Sequence, residues 1–256
     1  MDDERRAVAP RLGRGRETAL AAVTAFARDA VAGRGAVVLV EGLSDRAAVE
    51  ALAAGRGRDL RAEGVSTVPM GGATNLGHFL DLLGPRGRDV RLAGLCDAAE
   101  APGFRRSLQR AGLTAAPASA SPASASPVPA SPASASAASA SAVPASAAPA
   151  PAGPGPDLAG FLGRIGFFVC VADLEDELIR SLGTARVEQV VADQGELGPL
   201  RTFSKQPAQR ERTRGEQLRR FMGTRSGRKI QYARALAEAL DPARVPDPLA
   251  RLLAFV

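Results

Sequence analysis

A single histidine, two cysteines, one tyrosine and no tryptophan occur in 256 residues, and each shortage removes a class of chemistry. With His78 as the one imidazole, an HExxH metalloprotease helix, an HNH nuclease and most histidine-dependent triads are excluded. Cys96 and Cys170 suffice neither for a disulfide framework nor for a cysteine-rich zinc site. Lysine is also scarce: Lys205 and Lys229 are two among 33 basic residues. No apolar run approaches the ~20 residues that span a bilayer, so no membrane partner is expected. The opening MDDERRAVAP has no apolar h-region, so no secretory signal is expected and the cytoplasm is the default location. A G-x-x-x-x-G-K-[ST] phosphate loop is missing, and Gly223 to Lys229 fails its spacing. Catalysis is left to carboxylates, Lys, Arg and Ser.

What is present divides unevenly. Residues 115–156 are 42 positions drawn from Ala, Ser, Pro, Val and Gly, with 10 of the 19 prolines. The other 214 residues carry all 60 charges, an ordinary density for a domain able to bury a core. The tract has no charge and no period that builds a core, so it reads as a disordered insertion. Lengthening a ~5-residue connection to 42 is about three doublings, hence roughly 2 kcal/mol of closure entropy, which a fold tolerates. Charge is also uneven. Residues 201–234 hold nine Arg, Lys205 and Lys229 against Glu211 and Glu216, a net +9, so the rest of the +6 chain is at −3.

The apolar pattern alternates between two periods. Leu20, Val23, Phe26, Ala27 and Val31 recur near 3.6 spacing and predict a helix over 17–31, within an N-terminal segment 1–35. Ala36–Val40 is a short apolar run suited to a strand buried on both faces, and Ser44 or Asp45 caps a helix to about Ala54. A strand near Val65–Met70, a glycine turn and a helix Asn75–Leu83 follow. Next come a strand Val90–Cys96 and a helix near Phe104–Ala111. After the tract, the strand Gly166–Val171 precedes helices Leu174–Leu182 and Ala185–Gln194. Such alternation predicts a parallel sheet with covering helices, so residues 36–256 read as one α/β domain carrying an insertion.

Three of these strands run into acids. Val38-Leu-Val-Glu41-Gly-Leu-Ser-Asp45 places Glu41 at a strand end and Asp45 in the next helical turn, at the edge where parallel sheets bind ligands. Leu92-Ala-Gly-Leu-Cys-Asp97-Ala-Ala-Glu100 and Val171-Ala-Asp173-Leu-Glu175-Asp-Glu177 repeat the arrangement. Taken singly, Glu41 serves equally as a turn cap, Asp45 as a helix cap and Asp173 to Glu177 as acids favoured by a helix dipole. Taken together, clustered like charges point to a bound divalent cation, and an oxygen donor set to Mg²⁺ or Mn²⁺. The Met70-Gly-Gly-Ala-Thr-Asn75 segment reads as a tight turn, and His78 and both cysteines as structural.

VVLVEGLSD followed by LAGLCD resembles a TOPRIM domain, the metal-binding fold of topoisomerases, primases and some nucleases. The later Asp173-Leu-Glu175 and Ser226-Gly-Arg-Lys229 make the chain similar to the TOPRIM half of OLD-family (overcoming lysogenization defect) nucleases, over about residues 36–112 and 157–235. The resemblance implies a TOPRIM-like parallel sheet flanked by helices, with a basic helical C-terminal part. It implies metal ligation by Glu41, Asp45, Asp97, Asp173 and Glu175, and catalysis by Glu41 and Lys229. One departure stands out. The third strand of a TOPRIM domain ends D-x-D, whereas this chain reads Asp97-Ala98-Ala99, so a second acid is absent there unless Glu100 takes its place.

The expectation is a divalent-metal-dependent DNA endonuclease whose segment 201–234 contacts nucleic-acid phosphates. OLD proteins also carry an ATPase, which here would be a separate chain. Two alternatives remain at this stage: a TOPRIM remnant that binds nucleic acid or an ATPase partner without catalysis, and a transferase or hydrolase acting on a small nucleotide.

Overall fold

The computed structural model describes Thr24 and residues 35–114, 155–225 and 227–256. Apart from Thr24, the helix expected over 17–31 lies outside the described residues, as do Ser226 and the Ala/Ser/Pro tract up to residue 154.

Four parallel strands form one sheet in the order β2-β1-β3-β4. They are β1 (Ala36–Val40), β2 (Val65–Pro69), β3 (Arg91–Cys96) and β4 (Phe167–Val169). β1 is central and all five of its residues are buried, as an uninterrupted Ala-Val-Val-Leu-Val run requires. Pro69 closes β2, an edge strand, where a missing N–H interrupts no ladder.

The side chains of β1 alternate between two cores. Ala36, Val38 and Val40 join Ala48, Val49 and Leu52 of α1 (Leu43–Gly55) on one face. Val37 and Leu39 join α2 (Leu76–Leu83), α3 (Ala101–Arg110) and α4 (Pro156–Arg164) on the other. The chain crosses from β1 to β2 over the first face, then from β2 past β1 to β3 over the second. Direction and face reverse together, which keeps the handedness of the crossovers the same. The connections leaving β1 and β3 therefore run in opposite directions at the carboxyl edge.

The remaining helices are α5 (Leu174–Leu182), α6 (Thr184–Asp193), α7 (Leu197–Ser204), α8 (Pro207–Arg210), α9 (Arg214–Met222), α10 (Arg228–Glu238) and α11 (Asp247–Phe255). They complete the first core: Leu178, Val191, Leu218, Tyr232, Leu236 and Leu252 are all buried with the α1 face of the sheet. The basic C-terminal part is thus helical and woven into the core rather than appended to it. Most of its charge is exposed, with Arg228 the buried exception.

One helix absent from the sequence reading and two shifted boundaries stand out. α4 begins at Pro156, inside the low-complexity tract; Pro at a first helical turn is pre-organised, but Gly160 and Gly163 weaken the local signal. β4 spans three residues instead of six, although Cys170 still donates its N–H to the Cys96 carbonyl at 2.9 Å. α3 starts at Ala101, ahead of Phe104.

β3 needs a glycine where it is squeezed between β1 and β4. A Cβ on Gly94 would lie 2.7 Å from the Leu39 carbonyl oxygen and 2.8 Å from the Phe167 ring. Gly94→Ala is therefore expected to lower stability by about 1–3 kcal/mol, read as a shift of the urea midpoint at constant slope. An unshifted midpoint would show that the strands have room to separate.

Candidate functional site

Because the chain leaves β1 and β3 in opposite directions, a crevice lies at the carboxyl edge of the sheet, where α/β folds bind ligands. Glu41 follows β1 directly and is exposed, and its backbone carbonyl accepts the Gly72 N–H at 3.0 Å. Asp45 sits in the first turn of α1, where one carboxylate oxygen accepts the Gly42 N–H at 2.8 Å. It is a helix cap and an acid of the crevice at once. Asp97 follows β3, partly buried.

Asp173 is the N-cap of α5. Its Oδ1 accepts the Asp176 N–H at 2.9 Å, and its Oδ2 is paired with the Arg219 guanidinium. Glu175 is 4% exposed; its Oε2 lies 3.3 Å from Lys229 Nζ, and its Oε1 is buried without a hydrogen-bond partner. Glu177, equally buried, has a structural duty: one oxygen accepts the Val171 N–H at 2.7 Å and the other pairs with Arg180 at 2.7 Å.

Electrostatics tie the five acids together. Burial, then the charges of Asp173, Glu41, Asp45 and Glu175, push Asp97 up to about 7. Burial and then Asp45 raise Glu41; burial raises Asp45 and Glu175, with Asp173 adding to both. Lys229 opposes the rise at Glu41, Asp45 and Glu175. The acids are gathered but not closed on one point: among the described residues no group of three His, Cys, Asp or Glu side chains is poised to hold an ion. Glu100 is the residue before α3, without a side-chain capping bond, and its charge is among those raising Glu41.

Lys229 reaches the crevice because of the residues before it. Gly227 adopts φ +80°, a left-handed conformation that opens α10. Arg228 then turns inward, 6% exposed, donating to Glu196 at 2.7 Å and stacking 4.3 Å from the Phe221 ring. Tyr232 donates its hydroxyl to the other Glu196 oxygen at 2.9 Å. The Gly-Arg-Lys segment thus combines a turn, an anchor and a cation aimed at the acids.

The basic segment is partly spent on such pairs. Arg214 pairs with Glu188, Arg219 with Asp173, Arg228 with Glu196, Lys229 with Glu175 and Arg234 with Glu238. Arg201, Lys205, Arg210, Arg212, Arg220 and Arg225 have no ion-pair partner among the described residues. The count of +9 therefore overstates the charge free to meet an outside anion. A cleft of about 380 Å³ joins the two sets, lined by Asp173, Glu175 and Glu216 together with Arg212, Arg219, Arg220 and Lys229. A wider groove of about 550 Å³ between α1 and α10 contains none of the crevice acids.

Strand ends pointed to Glu41, Asp45, Asp97, Asp173 and Glu175 at this edge and the family resemblance added Lys229; the structure brings all six together. Sequence reasoning singled out neither Arg219 nor the Glu196–Arg228 anchor. Nothing local separates Arg219 from Arg220 beside it; the distinction comes from the way α9 lies against the start of α5.

The family model for the overcoming lysogenization defect protein-like TOPRIM domain matches residues 35–98, which include Glu41, Asp45 and Asp97. The C-terminal region of the Xanthomonas campestris pv. campestris OLD protein superposes with a TM-score of 0.55 at 20% identity, over 86% of this chain and 93% of that one. The corresponding region of the Burkholderia pseudomallei OLD protein gives 0.56 at 16% identity, over 87% and 96%. These identities establish a shared fold. Among curated proteins, none matches the sequence.

Asp97 is more readily protonated in the folded chain than at its ordinary 3.8. Its contribution to stability is therefore full below pH 3.8 and is lost as pH rises through about 7. Chelator-treated protein is expected to lose thermal stability from pH 5 to 8, and Asp97→Asn to recover on the order of 1–2 kcal/mol at pH 8, after allowance for solvent screening. The same pH slope in both proteins would count against a crowded carboxylate.

Proposed function

We propose that this chain, whose residues 35–98 carry an OLD-like TOPRIM domain and whose fold is that of OLD C-terminal regions, hydrolyses phosphodiester bonds in DNA with a divalent metal. The observation that carries the reading is the gathering of acids from the ends of β1, β3 and β4 beside Lys229, in a crevice continuous with a basic cleft.

The donor set fits Mg²⁺ or Mn²⁺. It is all oxygen, its members raise one another's proton affinity, and Glu175 Oε1 is a buried acceptor without a donor. Glu41, Asp45, Asp97, Asp173 and Glu175 would hold the metal. Bound cations activate water and stabilise the leaving oxygen of a phosphodiester.

The protein's own groups do the rest. Glu41, exposed and with a raised proton affinity, is suited to take a proton from the attacking water. Lys229, held by the Arg228 anchor, offsets charge that builds on the phosphate. Arg212, Arg220 and their neighbours hold the backbone on either side, which makes binding salt-sensitive. Glu100 is the next acid in sequence after the gap that follows Asp97, and its charge reaches Glu41. An ATPase, where the activity needs one, comes from outside these 256 residues.

A second reading has one observation in its favour. Ala99 occupies the place of the second strand-end acid, and the acids do not already form a three-ligand cluster among the described residues. On that reading the chain binds nucleic acid or an ATPase without cutting. Hydrolysis or transfer on a small nucleotide has only the acids in its support, which DNA cleavage shares; the basic cleft favours a polymer.

Supercoiled plasmid incubated with the protein and Mg²⁺ or Mn²⁺ is expected to be nicked, with rates about 10²–10³-fold lower for Glu41→Ala, Asp97→Ala and Lys229→Ala. Equal nicking by wild type and variants would remove these residues from catalysis. Calorimetric titration with Mn²⁺ separates the two readings: stoichiometric binding, lost in Asp97→Ala, is expected for the nuclease and none for the remnant.

A further inference from the structure

Two cations do the work of counter-ions in the crevice, and they differ. Lys229 is a point charge 3.3 Å from Glu175, carried on an anchored helix start. Arg219 lies on α9, paired with Asp173 Oδ2, its side chain 47% exposed against 14% for Asp173. The other Asp173 oxygen is committed to the cap of α5. A metal ion on Asp173 Oδ2 would share that oxygen with Arg219 and draw off the negative charge that holds the guanidinium. A divalent cation among the acids also repels a guanidinium at their rim.

The way out for Arg219 is already built. The 380 Å³ cleft it lines continues to Arg212 and Arg220, which have no ion-pair partner among the described residues. A guanidinium released from Asp173 into that cleft presents a planar fork of donors matched to a phosphate. Buried Glu175 Oε1, without a partner, is a second sign that the crevice is arranged for a ligand its own side chains do not supply.

We infer that Arg219 is an exchangeable counter-ion: it neutralises Asp173 in the metal-free protein and passes to a nucleic-acid phosphate when a divalent cation takes its place. Metal and nucleic acid then bind cooperatively, and by linkage each raises the affinity of the other by the same factor. Arg219 is a substrate-positioning residue distinct from Lys229, which stays with the acids. The inference rests on the metal-dependent reading above.

The test uses the whole chain, Mn²⁺ calorimetry, and the anisotropy of a short fluorescein-labelled DNA duplex measured with a chelator or with Ca²⁺. Wild type is expected to bind duplex more tightly with Ca²⁺. In Arg219→Ala, Mn²⁺ affinity rises roughly two- to five-fold, because an internal competitor worth one exposed ion pair is gone. Duplex affinity falls in Ca²⁺, with a salt slope smaller by about one, and is unchanged in chelator. Arg220→Ala, without an acid to compete for, weakens duplex binding in both conditions and leaves Mn²⁺ affinity as it was. Arg219→Ala that leaves Mn²⁺ affinity unchanged, or weakens duplex equally in both conditions, overturns the exchange while wild-type metal binding and nicking still stand. A wild-type protein that binds no Mn²⁺ overturns the exchange and the metal-dependent reading together.

Discussion

Carboxylates at the ends of three parallel strands repel one another, and a half-buried crevice gives that repulsion little solvent to dissipate into. Asp97 shows the result most plainly, lifted to about 7 by burial and four neighbouring acids. Such a cluster needs positive charge to stay ionised at neutral pH. Lys229 and Arg219 supply part of it from helices far along the chain. Burial of Leu218, Tyr232 and Leu236 against the sheet is what holds these helices, and their cations, within reach of the acids.

That packing sets up a division of labour among the basic residues. Arg228 is buried to anchor α10, and Arg214 and Arg234 brace helices at or near the surface. Arg212 and Arg220 carry charge without a direct ion pair into the cleft beside the acids, with Glu216 as a neighbouring counter-charge to Arg212. A +9 segment therefore contains anchors, counter-ions and free cations in close succession. One consequence is that net charge by segment says where an anion is attracted, while the ion pairs say which side chains are left to meet it.

Much of the sheet was legible because its evidence is local. An uninterrupted run such as Ala36–Val40 is tolerated in water only when both faces are covered, and a parallel strand of that kind delivers its next residue to the carboxyl edge. Glu41 and Asp97 follow from that rule, and Asp173 follows with a three-residue extension beyond β4. α4 was hidden for the opposite reason: its two glycines and initial proline resemble the tract before it, and its burial against β4 supplies what local propensity does not.

Sequence alone determined the number of strands, their parallel course, the chemistry left by the shortage of histidine and cysteine, and the six residues at the crevice. Strands and strand-end acids follow from hydrophobic period and residue type, which are properties of short segments, whereas Lys229 joined them through the family resemblance. Tertiary structure decided which cation neutralises which acid, that Glu177 serves the backbone while Glu175 keeps a free oxygen, and that Arg219 differs from Arg220. Ion pairs depend on distances of a few ångströms between helices that are remote in sequence, and no pattern within either helix encodes that separation.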